Sequence, residues 1–305
     1  MPHTTPVIEV TGLRKSYGGR TAVDGVSFAV DEFEIFGILG PNGAGKTTTV
    51  ECVSGLRVPD AGTVRVAGRD PVADHARVTR VLGAQLQESE LQGKLTVREA
   101  LELYAAFYPD PADWRPLAAR LGLTDRLGTR FAQLSGGQKQ RLFIALALIG
   151  NPRVVVLDEL TTGLDPHARR DTWKLIEDVR DSGVTVLLVT HFMEEAQRLC
   201  DRVAVIDRGR VVALDSPAGL ISGTAGATVI SFAPSAPLAP GELAALPGVT
   251  AAAERDGRVT LSGTDASVDA LLTLLARRGV RAHQLRVTDA TLDDAYLDLT
   301  TGARP

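Results

Sequence analysis

The sequence predicts an α/β protein with a sheet core, followed by a small α+β domain at the C-terminal end. Residues 35–39, 154–157 and 185–190 are short, almost wholly apolar runs, which is typical of strands buried on both faces. Stretches with helical composition lie between these runs. A glycine-rich loop follows the first run and leads directly into a predicted helix over residues 47–54. The order strand, loop and helix predicts a binding site for an anion.

The loop itself fits the pattern G-x-x-x-x-G-K-[ST]. In such a loop, backbone N–H groups and the positive end of the helix surround the phosphates of a nucleoside triphosphate. We expect Lys46 to reach the outer phosphates and the Thr47 hydroxyl to hold Mg²⁺. The residues expected to contact the nucleotide are Gly40, Pro41, Asn42, Gly43, Ala44, Gly45, Lys46, Thr47 and Thr48. The loop therefore predicts a nucleotide-binding protein.

Composition narrows the class of protein. The chain has 305 residues, 44% of them hydrophobic and 23% charged, as in ordinary globular proteins. A formal net charge of −4 argues against a nucleic-acid partner. Cys52 and Cys200 are isolated, which predicts two small buried residues without disulfide or zinc.

Residues 1–6 do not resemble a signal peptide, and no apolar run approaches the roughly 20 residues that cross a bilayer. A role at a membrane would therefore require a partner protein.

Further elements follow in chain order. Residues 7–10 alternate between polar and apolar, which predicts an edge strand. Thr96 and Glu99 form a capping-box pattern that opens a helix reaching about residue 108. A second helix is predicted around residues 117–121. We therefore expect a helical insertion from about residue 88 to 150.

The second half of the predicted site combines another helix start with two acids. Residues 134–138 read Leu-Ser-Gly-Gly-Gln and precede a predicted helix over 139–148. Serine and glycine at a helix start suit an anion, although a plain N-cap explains them equally well. Asp158 and Glu159 end the apolar run 154–157, where Asp158 suits Mg²⁺ and Glu159 suits an attacking water. Acids at a strand end can also be merely solvated, but the preceding phosphate loop favours function.

Tyr17 and His191 are two further candidates. Tyr17 precedes the loop and either stacks on a base or packs on the sheet. His191 lies just after the run 185–190, at the strand end where ligands collect in parallel sheets.

Taken together, these motifs resemble the ATP-binding subunit of an ABC transporter over residues 7 to about 217. The Leu-Ser-Gly-Gly-Gln motif is found almost exclusively in that family. Here it precedes Asp158–Glu159 and then His191, which is the order of these motifs in the family. The resemblance implies a P-loop ABC cassette with a mixed sheet core, an antiparallel β subdomain and a helical subdomain. We accordingly expect a nucleotide-binding domain over 1–217 and a small α+β accessory domain over 218–305.

The resemblance also implies roles for individual residues. Tyr17 would stack on adenine, and Gln87, with Gln85 as its rival, would contact Mg²⁺ and the attacking water. Asp165 would cross a dimer interface, and His191 would hold the γ-phosphate and orient the water. The residues implied to contact the γ-phosphate bound by the opposite subunit are Ser135, Gly136, Gly137 and Gln138. A homodimer would then contain two composite ATP sites.

Two positions depart from the family pattern. Phe33 stands where a glycine is usual, which predicts a strained, locally altered turn if that position needs a positive φ. Leu160 replaces a usual proline, and this change, with the run 85–89, resembles the drug- and antibiotic-resistance exporters related to daunorubicin-resistance ATPases.

The implied function is ATP hydrolysis with Mg²⁺, coupled to multidrug or antibiotic-type export through a separate membrane permease. The chain would work at the cytoplasmic face of the membrane. The alternatives are a non-transport cassette acting on ribosomes or DNA, and a cassette for uptake or for lipid or polysaccharide export.

The C-terminal domain is predicted to contain a loop over 231–240 and a helix over 268–278 that ends at Gly279. A capped terminal helix follows, with Thr291 or Asp289 near its start. We expect this helix either to stabilise a dimer or to pack without binding a ligand, or else to regulate the cassette. We also expect two short strands in this domain, at residues 258–261 and 287–288.

Overall fold

The computed structural model describes residues 6–86, 90–222, 228–255 and 257–301. The chain divides into two compact units, residues 1–216 and 217–305. The strands of the first unit are β1 (Ile8–Tyr17), β2 (Arg20–Val30), β3 (Ile35–Leu39), β4 (Ala61–Val66), β5 (Leu82–Gln85), β6 (Val154–Asp158), β7 (Thr185–Thr190), β8 (Arg202–Asp207) and β9 (Arg210–Asp215). Its helices are α1 (Lys46–Val53), α2 (His75–Val78), α3 (Val97–Ala105), α4 (Trp114–Arg120), α5 (Gly136–Leu148), α6 (Pro166–Asp181) and α7 (Met193–Leu199).

A six-stranded sheet of order β5-β6-β7-β3-β8-β9 forms the centre of the first unit. Strands β5, β6, β7, β3 and β8 pair in parallel, and β9 pairs antiparallel to β8. Strands β3, β6 and β7 are buried along their whole length, as their apolar sequences predict. Because these three parallel strands are neighbours, their carboxyl ends lie side by side at one edge of the sheet. The mixed sheet core is thus confirmed.

A second sheet of order β2-β1-β4 is antiparallel throughout and is the antiparallel β subdomain. The prediction that residues 7–10 form an edge strand is wrong, because β1 lies between β2 and β4. Alternation of polar and apolar residues reports one solvated face, and a central antiparallel strand has such a face as well.

Helices α3, α4 and α5 form the insertion between β5 and β6. The capping box is confirmed, since the Glu99 N–H donates to Thr96 Oγ1 and the Thr96 N–H donates to Glu99 Oε2. Helix α3 ends at Ala105, before the predicted residue 108, and the second helix begins earlier than predicted, at Trp114.

Phe33 adopts the left-handed backbone conformation, with φ of 68°. Its N–H donates to Thr185 Oγ1 at 2.9 Å, and the residue is 59% exposed. The turn therefore holds a phenylalanine at the positive φ that glycine adopts without strain.

Both cysteines of the first unit are buried free thiols, as predicted. Burial raises the pKa of the Cys52 thiol to about 11 and raises that of Cys200 well above its usual value. The thiolate is the reactive form, so we expect neither cysteine of the native chain to react with iodoacetamide at pH 8. Both should react after unfolding in guanidinium chloride, as counted by mass spectrometry. Labelling of Cys52 in the native chain would contradict its burial.

The second unit is a β-α-β-β-α-β module of the ferredoxin-like type. Its sheet has the order β11-β12-β10-β13 and is antiparallel throughout. A separate apolar core that includes Ile230, Phe232 and Leu271 stabilises it. The elements are α8 (Pro217–Ser222), β10 (Thr228–Pro234), α9 (Pro240–Ala244), β11 (Val249–Arg255), β12 (Arg258–Gly263), α10 (Ala266–Arg278), β13 (Ala282–Asp289) and α11 (Leu292–Thr301).

Two details of this unit differ from, or sharpen, the prediction. The predicted loop over 231–240 is wrong for residues 231–234, which belong to β10, a central strand of the sheet. Proline and alanine there suggested a loop, but Pro234 lies at the strand end, where proline is tolerated. The terminal helix is capped by Thr291, whose Oγ1 accepts the Asp294 N–H.

Among the helices formed by the described residues, none is long and apolar enough to cross a membrane.

Candidate functional site

The phosphate loop connects the end of β3 to the start of α1. Gly45 is the N-cap of α1, with φ of 102°. A Cβ atom on Gly45 would lie 2.4 Å from the carbonyl oxygen of Ala22 on β2. Only glycine therefore combines this backbone conformation with such close packing. The resulting strand, loop and helix arrangement is the one that the motif requires.

Lys46 lies inside the loop and is only 5% exposed. Its Nζ donates to the carbonyl oxygens of Gly40 at 2.8 Å and Pro41 at 3.2 Å. The same Nζ lies 3.8 Å from Oε1 of Glu159. Burial lowers the pKa of Lys46, while the charges of Glu159 and Asp158 oppose that shift. The loop thus contains a cationic group next to an acid from another strand.

Glu159 directly follows β6 and has φ of 49°. Its side chain is 8% exposed, and Oε1 lies 3.1 Å from Nδ1 of His191. The Glu159 N–H donates to the carbonyl oxygen of Val189 on β7 at 2.9 Å. A left-handed glutamate is a strained residue, and such residues cluster at functional sites. The fold therefore brings together three sequence-predicted residues, Lys46, Glu159 and His191.

Asp158 is the last residue of β6 and is 1% exposed. Its N–H donates to Oε1 of Gln85 at 3.2 Å, and Nε2 of Gln85 donates to the carbonyl oxygen of Leu86. Gln85 is thereby buried as a brace between β5 and β6. Gln87, the residue predicted to contact Mg²⁺ and water, lies outside the described residues.

One cavity of about 760 Å³ contains the loop and the predicted aromatic platform. Tyr17, at the end of β1, is 42% exposed, and Nζ of Lys15 lies 5.6 Å from the ring centroid. A cavity with an aromatic ring, a phosphate loop and an acid has the volume and chemistry for a nucleotide. Its lining residues are Tyr17, Arg20, Thr21, Ala22, Pro41, Asn42, Gly43, Ala44, Gly45, Lys46, Thr47, Thr48, Glu159, Asp207, Arg208 and Gly209.

Sequence reasoning missed the contribution of the β8–β9 turn to this cavity. Asp207, Arg208 and Gly209 line it, and Arg208 is left-handed with φ of 47°. The Gly209 N–H donates to the carbonyl oxygen of Ala44, and the Asp24 N–H donates to that of Gly209. The sequence carries no signal for where the β8–β9 turn packs, because that contact depends on tertiary structure.

A second cavity of about 540 Å³ surrounds the Leu-Ser-Gly-Gly-Gln motif. Ser135 is the N-cap of α5, its Oγ accepts the Gln138 N–H, and its N–H donates to Oε1 of Gln138. Asp165, also a lining residue, is the N-cap of α6, which begins at Pro166. N–H donors from Ala168 and His167 hold the pKa of Asp165 below its usual value.

The two glycines of this motif are not required by packing within the chain. A Cβ atom on Gly136 or Gly137 would only make ordinary contacts, at 3.5 Å and 3.7 Å. The two cavities also have no lining residue in common among the described residues. The described residues therefore form two separate cavities, and packing within the chain does not explain the glycines of the second.

The family model described as ABC transporter matches residues 23–162. The Nod factor export ATP-binding protein I of Paraburkholderia xenovorans is 45% identical over 231 residues, which are 74% of this chain and 76% of that protein. The protein of the same name from Burkholderia thailandensis is 39% identical over 301 residues, 96% of each chain.

Solved structures of ABC transporter subunits also resemble this chain. One described as an ATP binding subunit of an ABC transporter superposes with a TM-score of 0.64 at 29% identity, covering 71% of this chain and 92% of that chain. Another is cbiO1 from Clostridium perfringens, described as part of the ABC transporter complex cbiONQ, with a TM-score of 0.65, 25% identity, and 72% and 91% coverage. The chain therefore belongs to the ATP-binding subunits of ABC transporters, a family of ATPases that power transport.

Proposed function

We propose that this chain hydrolyses ATP at composite sites between two copies of itself and thereby drives export through a separate membrane permease. The observation that carries the proposal is the cluster of Lys46, Glu159 and His191 beside the phosphate loop, with the motif around Ser135 in a separate cavity. Because the two cavities share no lining residue among the described residues, we infer that a second copy brings its Ser135 cavity to the phosphate loop of the first.

In this proposal the first cavity binds ATP and carries out its hydrolysis. Tyr17 stacks on the adenine, and the loop residues 40–48 hold the phosphates. Glu159 accepts a proton from the attacking water, while His191 contacts the γ-phosphate and, through its 3.1 Å contact, orients Glu159. Gln87 is proposed to contact the water and Mg²⁺. The residues proposed to complete the site from the partner copy are Ser135, Gly136, Gly137, Gln138 and Asp165.

The donors near the loop fit Mg²⁺. Mg²⁺ prefers a few oxygen ligands together with substrate phosphates. Thr47 offers a hydroxyl at the start of α1, and Asp158 offers a carboxylate at the end of β6. Among the described residues no cluster of three or more His, Cys, Asp or Glu could hold a metal, which agrees with a cation held partly by the nucleotide. Thr47 and Asp158 would hold the ion, which would neutralise charge on the phosphates.

The composite site can be tested with Ser135→Arg. The arginine should leave ATP binding by the monomer within about twofold, because Ser135 does not line the first cavity. Its bulk should prevent the ATP-dependent dimer from closing. The measurement is size-exclusion chromatography with ATP in a Glu159→Gln background, together with binding of a fluorescent ATP analogue.

Asp113→Arg is the matched control, since it also replaces an exposed N-cap but lies on α4, outside both cavities. The control should dimerise normally. An ATP-dependent dimer of the Ser135→Arg variant would rule out the two-chain site.

Export is supported by the relatives, which are named for export of Nod factor. The match to the Burkholderia thailandensis protein covers 96% of each chain and includes the second unit, for which we propose either a dimer-stabilising or packing role or a regulatory one. A partner permease would place the chain at the cytoplasmic face of the membrane. Affinity purification from detergent-solubilised host membranes should recover a stoichiometric polytopic membrane protein. Ribosomal or DNA-repair proteins instead, with the chain absent from membranes, would favour the non-transport alternative.

The proposed cargo class is a drug- or antibiotic-like compound, on the basis of Leu160 and the run 85–89. Export of a lipid or polysaccharide is the second candidate. The relatives' names give Nod factor, and not a drug, as the exported compound, so they do not favour the drug class. The two can be separated by reconstituting the chain with its recovered permease. A rise in ATPase rate with hydrophobic drugs, and none with lipid-linked oligosaccharides, would support the first class.

A further inference from the structure

Phe192, the residue after His191, contacts both the histidine ring and an arginine. The ring centroids of His191 and Phe192 lie 4.1 Å apart at an interplanar angle of 40°. The guanidinium carbon of Arg169 lies 4.5 Å from the Phe192 centroid, which is cation–π geometry. A planar guanidinium stacks on an aromatic face better than an ammonium does. Phe192 thus links Arg169 to the histidine that contacts Glu159.

Arg169 belongs to the first turn of α6. Its N–H donates to the carbonyl oxygen of Asp165 at 2.9 Å, so it lies one turn after the N-cap residue that lines the second cavity. Its Nε is buried and makes no hydrogen bond within the part of the chain that the structure describes. A buried polar atom without a partner costs free energy. An apolar residue at this position could pack without that cost, so packing alone does not explain the arginine.

The backbone of Phe192 is fixed independently of its ring. Its N–H donates to Thr190 Oγ1 at 3.0 Å, and its carbonyl oxygen accepts the Ala196 N–H at the start of α7. The main chain at Phe192 therefore does not need Arg169. The orientation of the two rings is what the arginine contact adds.

The contact is also not needed to join α6 to α7. Trp173 Nε1 donates to Glu195 Oε1 at 2.9 Å in the buried interior between these helices. Arg198 pairs with Glu177 at 3.1 Å further along the same helices. Two other contacts thus anchor α7 to α6, and the Arg169 contact is the one that lies next to His191.

We propose that Arg169 is a positioning residue for ATP hydrolysis. Its stack on Phe192 holds the His191 imidazole against Oε1 of Glu159. Because Arg169 lies one turn after Asp165, the stack also links the second cavity to the His191–Glu159 pair. This inference rests on the proposed function of Glu159 and His191.

The test uses the full chain with Arg169→Ala, Arg169→Lys and the control Arg170→Ala. Arg170 is the next residue on α6 and is exposed. Loss of one cation–π contact predicts about a tenfold fall in kcat for Arg169→Ala, with ATP affinity within about twofold. Arg169→Lys should lose less, because it keeps the charge without the planar stack. Arg170→Ala should match the wild type.

A spectroscopic readout separates positioning from stability. The chain has five histidines, so ¹⁵N-histidine labelling gives few ring signals, and His191→Gln identifies the one of interest. Arg169→Ala should shift the His191 ring signal and leave the other four in place. Trp173→Phe, which breaks the deeper α6–α7 contact, should lower Tm while the His191 signal stays in place.

Two outcomes would overturn the positioning role: a wild-type kcat for Arg169→Ala, or a lowered kcat with an unchanged His191 signal. If Arg169→Ala does not fold, Phe192→Leu removes the aromatic face and should give the same loss and shift. Failure of the proposed function is distinguishable. It would appear as no ATP hydrolysis by the wild type, or a wild-type rate for Glu159→Gln, before Arg169 is altered.

Discussion

Replacing Glu159 by glutamine is expected to lower kcat for ATP hydrolysis by about a thousandfold, within the usual range for loss of a general base. Glutamine keeps the size of the side chain and an oxygen for the contact with His191, but it cannot accept a proton. The acid also lies 3.8 Å from Nζ of Lys46, so its neutralisation removes a negative charge beside the phosphate loop. ATP binding should therefore be retained or strengthened.

The measurement is steady-state phosphate release, with binding of a fluorescent ATP analogue and size-exclusion chromatography in ATP. The stalled variant should accumulate as an ATP-bound dimer. Glu194→Gln is the matched control, because Glu194 is an exposed acid on α7 and should leave turnover unchanged. Turnover of Glu159→Gln at the wild-type rate would mean that another group activates the water.

Replacing Lys46 by alanine is expected to weaken ATP binding by about a hundredfold and to abolish measurable hydrolysis. A charge-assisted contact to phosphate is worth a few kcal/mol, and no other Lys or Arg side chain of the described residues contacts the carbonyl oxygens of Gly40 and Pro41. Burial lowers the pKa of Lys46, so the folded state gains little from this charged group. The Tm of the variant should consequently stay within a few degrees of the wild type.

Equilibrium binding of a fluorescent ATP analogue, phosphate release and thermal unfolding together check this result. Lys94→Ala is the control, since Lys94 is exposed and outside the first cavity. Normal hydrolysis by Lys46→Ala would refute the assignment of the phosphate loop. A large fall in the Tm of this variant would instead show that Lys46 stabilises the fold.

The features that the sequence predicted correctly depend on neighbours in the chain. The phosphate loop needs Gly45 at a positive φ between a strand and a helix, and all of that information lies within about 20 residues. The N-caps Thr96 and Ser135 are local in the same way, because each bonds to a residue three positions on. Buried parallel strands can also be recognised in the sequence, because both of their faces are buried and their residues are therefore apolar throughout.

Tertiary structure decided which of these local features meet. Glu159 and His191 are 32 residues apart, and they touch because β6 and β7 pair in parallel and end at the same edge. The Arg169–Phe192 contact likewise depends on how α6 and α7 pack. Side-chain periodicity shows which face of an element is buried but not which element covers it. For that reason the sequence by itself determined that this protein binds a nucleotide, and only the fold determined the geometry that joins Lys46, Glu159 and His191.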